Sequence, residues 1–375
     1  MDGAPDPRQA CNESFPGRHV LRLIGRAIER HRLDLHGLRV LTEAGVGYRR
    51  ITPVLAALAG ADGVYAVARD TLQAARQEAE EQTEYLARLA GVHEQVRVLH
   101  TRLQAPLAEV DIVTDLPGVR PIDEAILRNI APTAAVTLMR RADLQRTADV
   151  DVATCRRNGI AVAGVDEDAL GLHRYLPMAV VRGLLELGVE VVGVTILVAG
   201  GGQAYAHVVR SLAQLGARVL VAAPETAGRI GLYGGEKTGD GLGDEAALAR
   251  LAEADALVLC PATPDERWIG PGAAVDAPRV FTAAPHLAVV GAEAETDCRA
   301  LAAAGLRCWP AAETASGLGD LLPQPLIDLH AAGLKVGEVM TRARGRGSSS
   351  PAAEQLAASE VYADLLPKDL GAPQR

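Results

Sequence analysis

Aromatic residues are nearly missing from this sequence: Phe, Tyr and Trp together make up 3% of 375 residues, although 49% are hydrophobic. The core must therefore be built from Ala, Val, Leu and Ile, a mix that suits buried parallel strands covered by Ala/Leu helices. Cysteine is scarce as well. Cys11, Cys155, Cys260, Cys298 and Cys308 are scattered, with no CxxC pair and no His at ligand spacing. That excludes the common zinc motifs, so no metal is expected and the five are read as reduced thiols. No apolar run approaches the roughly 18 residues of a membrane helix, and MDGAPDPRQACNESFPGRH, residues 1–19, lacks an apolar signal core. A cytoplasmic protein is expected. Basic charge is not in excess either: the formal net charge is −9, which removes the electrostatic reason for a nucleic-acid or anionic-membrane partner. A small-molecule substrate is the expected partner.

The length predicts two domains with tails. Residues 1–18, rich in Pro, Gly and charge, read as a disordered tail. Val20, Leu21, Leu23, Ile24 and Ile28 share a face and mark an N-terminal helix over 19–36. Strands then alternate with helices. Strands are expected at 39–44, 64–68, 96–100, 111–114, 134–138 and 159–164, and helices at 52–60, 71–90, 122–130 and 150–158. Such alternation predicts a parallel sheet with right-handed crossovers, a flavodoxin- or Rossmann-like substrate domain over 37–170. An amphipathic helix at 175–187 leads to a Rossmann dinucleotide-binding domain over 180–312, with strands at 194–199, 218–222, 256–260, 279–282, 287–290 and 306–309. The glycine-dense stretch Tyr233–Gly243 reads as a surface loop able to close over a ligand. A C-terminal segment, 313–342, carries a helix at 326–342 that returns to the first domain. A flexible tail, 343–375, follows, with room for one short helix. The fold class is thus α/β: two Rossmann-like domains with parallel sheets and an interdomain cleft.

The strongest motif is VTILVAGGGQAYAHVVRSLAQLGARVLVAAPE, residues 194–225. Gly200, Gly201 and Gly202 stand between an apolar strand and a helix, where the lack of side chains lets backbone N–H groups approach a pyrophosphate at the positive helix end. Gln203, Ala204 and Tyr205 complete the expected nucleotide-binding turn. Tyr205 stands where a third glycine would allow close packing of helix on strand. Beyond the next strand, Ala222-Ala223-Pro224 replaces the usual ribose-binding acid, and Glu225 is the substitute two residues later. The alternative is a glycine turn that binds nothing.

A second glycine turn lies in LTEAGVGYRRITP, residues 41–53. With Asp70 closing the next strand, it resembles the first motif of the S-adenosylmethionine-dependent methyltransferases, and the resemblance implies an alternative cofactor site of Glu43, Gly45, Gly47 and Asp70. A flavodoxin-like domain also places a glycine turn after its first strand.

The widest resemblance covers residues 110–270. DIVTDLPGVRPIDEAILRNIAPTAAVTLMRRA, DVDVATCRRNGIAVAGV, the glycine turn and ADALVLCPATPDERWIG are similar, in order and spacing, to the D-isomer-specific 2-hydroxyacid dehydrogenases. The resemblance implies NAD or NADP as cofactor, Pro261 and Thr263 at the cofactor site, and a homodimer. It implies an oxidoreductase acting on a small carboxylate or similar anion. The catalytic set departs from the family: Ala284 stands in the arginine's place and Gln324 in the histidine's, and Gln cannot exchange a proton at neutral pH. Glu313 falls near the family's acid. Arg140 and Arg141 occupy the substrate-loop position and suit a carboxylate or phosphate, or are plain surface charges. His173, next to Arg174, and His330, with Lys335 on the same helix, are the remaining acid/base candidates, or ordinary packing histidines. His207, in the first turns of the glycine-rich helix, suits a neutral donor or acceptor, or is a packing residue. Loss of the family's Arg and His also leaves a non-catalytic ligand-binding protein as an alternative.

Overall fold

The computed structural model describes residues 7–71, 74–224, 230–260, 268–270, 272–291, 297–310 and 322–367. The chain divides into two compact units, one formed by residues 1–170 together with 323–375, the other by residues 171–322.

The first unit is a seven-stranded sheet. Its strands are β1 (Arg39–Glu43), β2 (Gly63–Val67), β3 (Val96–Leu99), β4 (Ile112–Thr114), β5 (Ala135–Thr137), β6 (Ala161–Val165) and, from the end of the chain, β13 (Ala363–Leu365). The spatial order is β13-β6-β5-β4-β1-β2-β3. Every pairing is parallel except that of β13 with β6. Alternate side chains serve opposite faces, as the pleat dictates: Val40 and Ile112 enter the core beneath one helix layer, Leu41 and Val113 the core on the other side. Helices α1 (Pro7–His31), α2 (Ile51–Leu58), α3 (Arg76–Ala90), α4 (Glu124–Leu127), α5 (Val152–Arg157) and α6 (Glu167–Leu170) belong to this unit.

The second unit opens with α7 (Leu176–Glu186) and holds six parallel strands. These are β7 (Thr195–Gly200), β8 (Arg218–Ala222), β9 (Gly235–Gly239), β10 (Ala256–Cys260), β11 (Ala288–Gly291) and β12 (Arg307–Trp309), ordered β12-β11-β10-β7-β8-β9. Numbered within the unit this is 3-2-1-4-5-6, the doubly wound order whose topological switch falls between the first and fourth strands. Its helices are α8 (Gly202–Gln214), α9 (Glu245–Arg250), α10 (Ala277–Ala283) and α11 (Cys298–Ala303). The last two helices, α12 (Pro323–Gly345) and α13 (Ser350–Glu360), return to the first unit.

The α/β class and both parallel sheets agree with the sequence reading; several local expectations do not. Residues 279–282, read as a strand from their β-branched and aromatic content, lie in α10, because Asp276 caps the helix by accepting from the Arg279 N–H (2.8 Å) and Pro278 suits its first turn. The expected loop 233–243 contains the strand β9, which pairs with β8 at the sheet edge. Helix α1 starts at Pro7, inside the stretch expected to be disordered, and the expected flexible tail contains both α13 and β13. Cys298 and Cys308, expected to be reduced, form a disulfide, because α11 and β12 bring their Cα atoms to 5.6 Å. Among the described residues no helix is long and apolar enough to cross a membrane.

Candidate functional site

At the carboxyl end of β7 the chain must clear its neighbour. A Cβ built on Gly200 would stand 1.9 Å from the carbonyl oxygen of Cys260 at the end of β10, so only glycine fits. Gly201 follows in extended conformation, and its N–H donates to that same oxygen at 3.1 Å. Helix α8 then begins at Gly202; its N-cap residue Gly201 supplies no capping side chain, none is seen among the described residues, and its first turn holds no acidic residue. The first N–H groups of a helix have no intrahelical partner and carry the positive end of its dipole. An uncapped N-terminus between β7 and β10 is thus placed at the switch point, where open α/β sheets bind their ligands. Gln203 and Ala204 lie in the same first turn.

Tyr205 is 1% exposed and packs with Val198, Val208, Val209 and Val221. It fills the space between helix and sheet that a small residue leaves open in a closer-packed turn. Ala222, the last residue of β8, and Ala223 after it are buried. Glu225, Pro261, Thr263 and Glu313 lie outside the described residues.

One turn further along α8, the His207 ring lies 4.7 Å, centroid to centroid, from the ring of His173, which sits in the turn preceding α7. Desolvation holds the His207 pKa below its ordinary value, with the nearby positive groups His173, Arg210 and Arg174 acting in the same direction. The shift favours the uncharged form of His207. The Nδ1 of His173 is buried without a hydrogen-bond partner among the described residues. Arg210 lies over the Tyr233 ring at 4.7 Å.

The first unit engages its sequence-predicted residues differently. Arg140 reaches Asp115 (3.0 Å) and Asp149 (2.8 Å), and Arg120 reaches the same two carboxylates at 3.1 and 3.5 Å. Two arginines thus face two aspartates, Asp115 at the end of β4 and Asp149 just before α5, and Arg140, which follows β5, is committed to this network. Asp115, Arg120 and Asp149 are site residues that the sequence reading misses, because they are scattered over 35 residues and meet only when β4 and β5 pair. Arg141 forms a two-pronged pair with Asp143 (3.1 and 2.7 Å). His330 is buried, its Nδ1 2.6 Å from the Thr52 hydroxyl. Lys335 pairs with Glu338 at 2.9 Å rather than with His330.

The first glycine turn is also internally bonded. The Gly45 N–H donates to the Thr83 hydroxyl (3.2 Å), the Gly47 N–H donates to Gln82 Oε1 (2.8 Å), and Asp70 accepts from the Arg76 N–H (2.9 Å). Glu43 accepts from the Gly118 N–H at 3.0 Å, and burial pushes its carboxyl up to about 7. The cavity beside it, lined by Glu43, Gly45 and Arg69, measures about 30 Å³, room for about one water. No group of three or more His, Cys, Asp or Glu among the described residues could hold a metal ion.

No family model and no curated protein matches the sequence. Solved structures do match. A dipicolinate synthase chain from Bacillus halodurans superposes with a TM-score of 0.53 at 16% identity, over 80% of this chain and 96% of that one. A dipicolinate synthase chain from Bacillus subtilis gives 0.55 at 14% identity, over 84% and 99%. The protein shares their fold. A D-lactate dehydrogenase from Lactobacillus jensenii, solved with NAD+, matches over 82% of this chain and 97% of that one at 14% identity, with a TM-score of 0.42. That last likeness is too distant for its ligand to bear on this chain.

Proposed function

We propose that the second unit binds NAD or NADP and that the protein is an oxidoreductase acting on a small carboxylate or similarly anionic metabolite. The observation that carries this reading is the uncapped start of α8 at the β7–β10 switch point, reached through a glycine that the Cys260 carbonyl makes obligatory. The residues present fit a dinucleotide. Gly202, Gln203 and Ala204 offer backbone N–H groups to a diphosphate, and no first-turn carboxylate repels it. When bound, a nicotinamide supplies hydride-transfer chemistry.

The chain's own contribution is to bind, orient and exchange a proton. His207 lies five residues beyond Gly202, about 7.5 Å along the helix axis. Its lowered pKa favours the uncharged imidazole, a form that can accept a proton and return it. This pair replaces the acid/base residue whose place is taken by Gln324. Arg140, Arg141 and His330 have structural partners and are given no catalytic role.

Native mass spectrometry of freshly purified protein, followed by absorbance at 340 nm over a panel of 2-oxo acids, tests the reading. A retained or titratable nicotinamide dinucleotide with turnover of one acid supports it. A chain that neither binds the cofactor nor turns over any member of the panel is not this enzyme.

A further inference from the structure

Helix α1 ends at His31, and beside this end, between it and residues of α12 and α13 within the first unit, lies a cavity of about 610 Å³. Its polar wall is cationic: Arg30, Arg32, Lys335, Arg342 and Arg346 face only Glu338 and Glu360. This local excess belongs to a chain whose formal net charge is −9.

The cations fall into two sets. Arg30 pairs with Asp328 at 2.6 Å, Lys335 with Glu338 at 2.9 Å, and Arg342 approaches Glu338 at 3.5 Å while donating to the carbonyls of Asp34 and His36. Arg32 and Arg346 are exposed and make no ion pair or side-chain hydrogen bond among the described residues. Arg32 is also the one non-glycine residue in the left-handed region among those described, with φ 47°. This is the left-handed residue that ends α1, where the Leu33 N–H donates to the Ile28 carbonyl at 3.0 Å.

His31 supplies a second, independent observation. Its side chain is 1% exposed, yet neither ring nitrogen has a hydrogen-bond partner among the described residues. The nearest carboxylate oxygen, on Asp328, stands 3.7 Å from Nε2, too far for a hydrogen bond, and the Tyr362 ring meets the imidazole edge-on at 5.5 Å. Buried polar atoms are nearly always satisfied, so an imidazole in a cavity wall whose nitrogens are bonded by no described residue is placed to bond a ligand. Leu356, Val361 and Tyr362 give the cavity an apolar side.

We propose that this cavity is a binding site for a small, multiply charged organic anion. Its phosphate or carboxylate groups lie between Arg32 and Arg346 and accept a hydrogen bond from His31, and its apolar body rests on Leu356, Val361 and Tyr362. The volume suits a metabolite-sized ligand. The site is independent of the glycine turn in the other unit.

Calorimetry on the full chain with pyrophosphate and with citrate tests this. One site per chain is expected for at least one of the two; tighter pyrophosphate indicates a phosphate ligand, tighter citrate a polycarboxylate. The double variant Arg32→Gly/Arg346→Ser, in which glycine relieves the left-handed backbone, is expected to stay folded by circular dichroism and to bind at least tenfold more weakly. His31→Phe, which keeps the ring packing and removes both nitrogens, is expected to weaken binding several-fold. Gly202→Val should leave this binding unchanged. Absence of binding of either anion at millimolar concentration overturns the proposal, as does binding that Gly202→Val abolishes and the double variant does not.

Discussion

The carbonyl oxygen of Cys260 accepts the Gly201 N–H at 3.1 Å and blocks any side chain at Gly200, where a Cβ would stand 1.9 Å away. Two strands thereby fix the position of the turn that starts α8. Gly200→Ala forces β7 and β10 apart, and we expect the second unit to lose about 3 kcal/mol or more, as overpacking against rigid backbone does. Urea unfolding followed by the fluorescence of Trp268 and Trp309, both in this unit, measures the loss; an unchanged midpoint would show that the strands can separate at no cost.

Glu43 makes the first unit sensitive to pH. Its carboxyl is raised from 4.5 to about 7 in the folded chain, so between those values the folded state holds a proton that the unfolded state releases. Its contribution is present below pH 4.5 and is lost as the pH rises through about 7. At about 1.4 kcal/mol per unit the full swing is about 3 kcal/mol. Glu43→Gln keeps an acceptor for the Gly118 N–H and removes the titration. The variant should be the more stable protein at pH 8, its advantage shrinking towards pH 4.5. Parallel stability curves for variant and wild type would contradict the assigned burial.

Arg140 tests the line between structural and substrate-binding charge. Arg140→Met leaves the buried Asp115 with Arg120 alone. Losing one partner of a buried pair typically costs about 3 kcal/mol or more, so the first unit should unfold at markedly lower urea. A variant of unchanged stability with weakened substrate affinity would instead return Arg140 to the role that its position after β5 suggested.

The Cys298–Cys308 bridge closes a short loop, with a sequence separation of 10. Reduction is expected to lower the stability of the second unit by about 2.5 kcal/mol on chain-entropy grounds. Peptide mapping after alkylation of the denatured, unreduced protein should recover these two cysteines linked. Recovery of both as alkylated thiols would contradict the bridge.

The fold was largely legible because buried parallel strands announce themselves as short aliphatic runs between helical stretches: β8 and β10 span the predicted residues, and most other strands differ by one or two. The failures share a cause. At 279–282 the side chains favour a strand, but the Asp276 cap and Pro278 decide for helix. In β9 the glycines and charges suggest a loop, but the free edge of β8 supplies the hydrogen bonds. Site residues were harder to read. A sequence shows that Arg140 is charged but not that Asp115, 25 residues earlier, waits for it at the end of a neighbouring strand. The Arg30-His31-Arg32 run and the basic end of α12 gave no sign of convergence until the helices were packed.

Isothermal titration of the full chain with NADH and NADPH, on wild type and on Gly202→Val and Gly47→Val, tests the central claim most directly. The account predicts one dinucleotide bound per chain, abolished by Gly202→Val and unaffected by Gly47→Val. No binding to wild type, or binding that survives Gly202→Val, would contradict it, and S-adenosylmethionine binding lost only in Gly47→Val would move the cofactor to the first glycine turn.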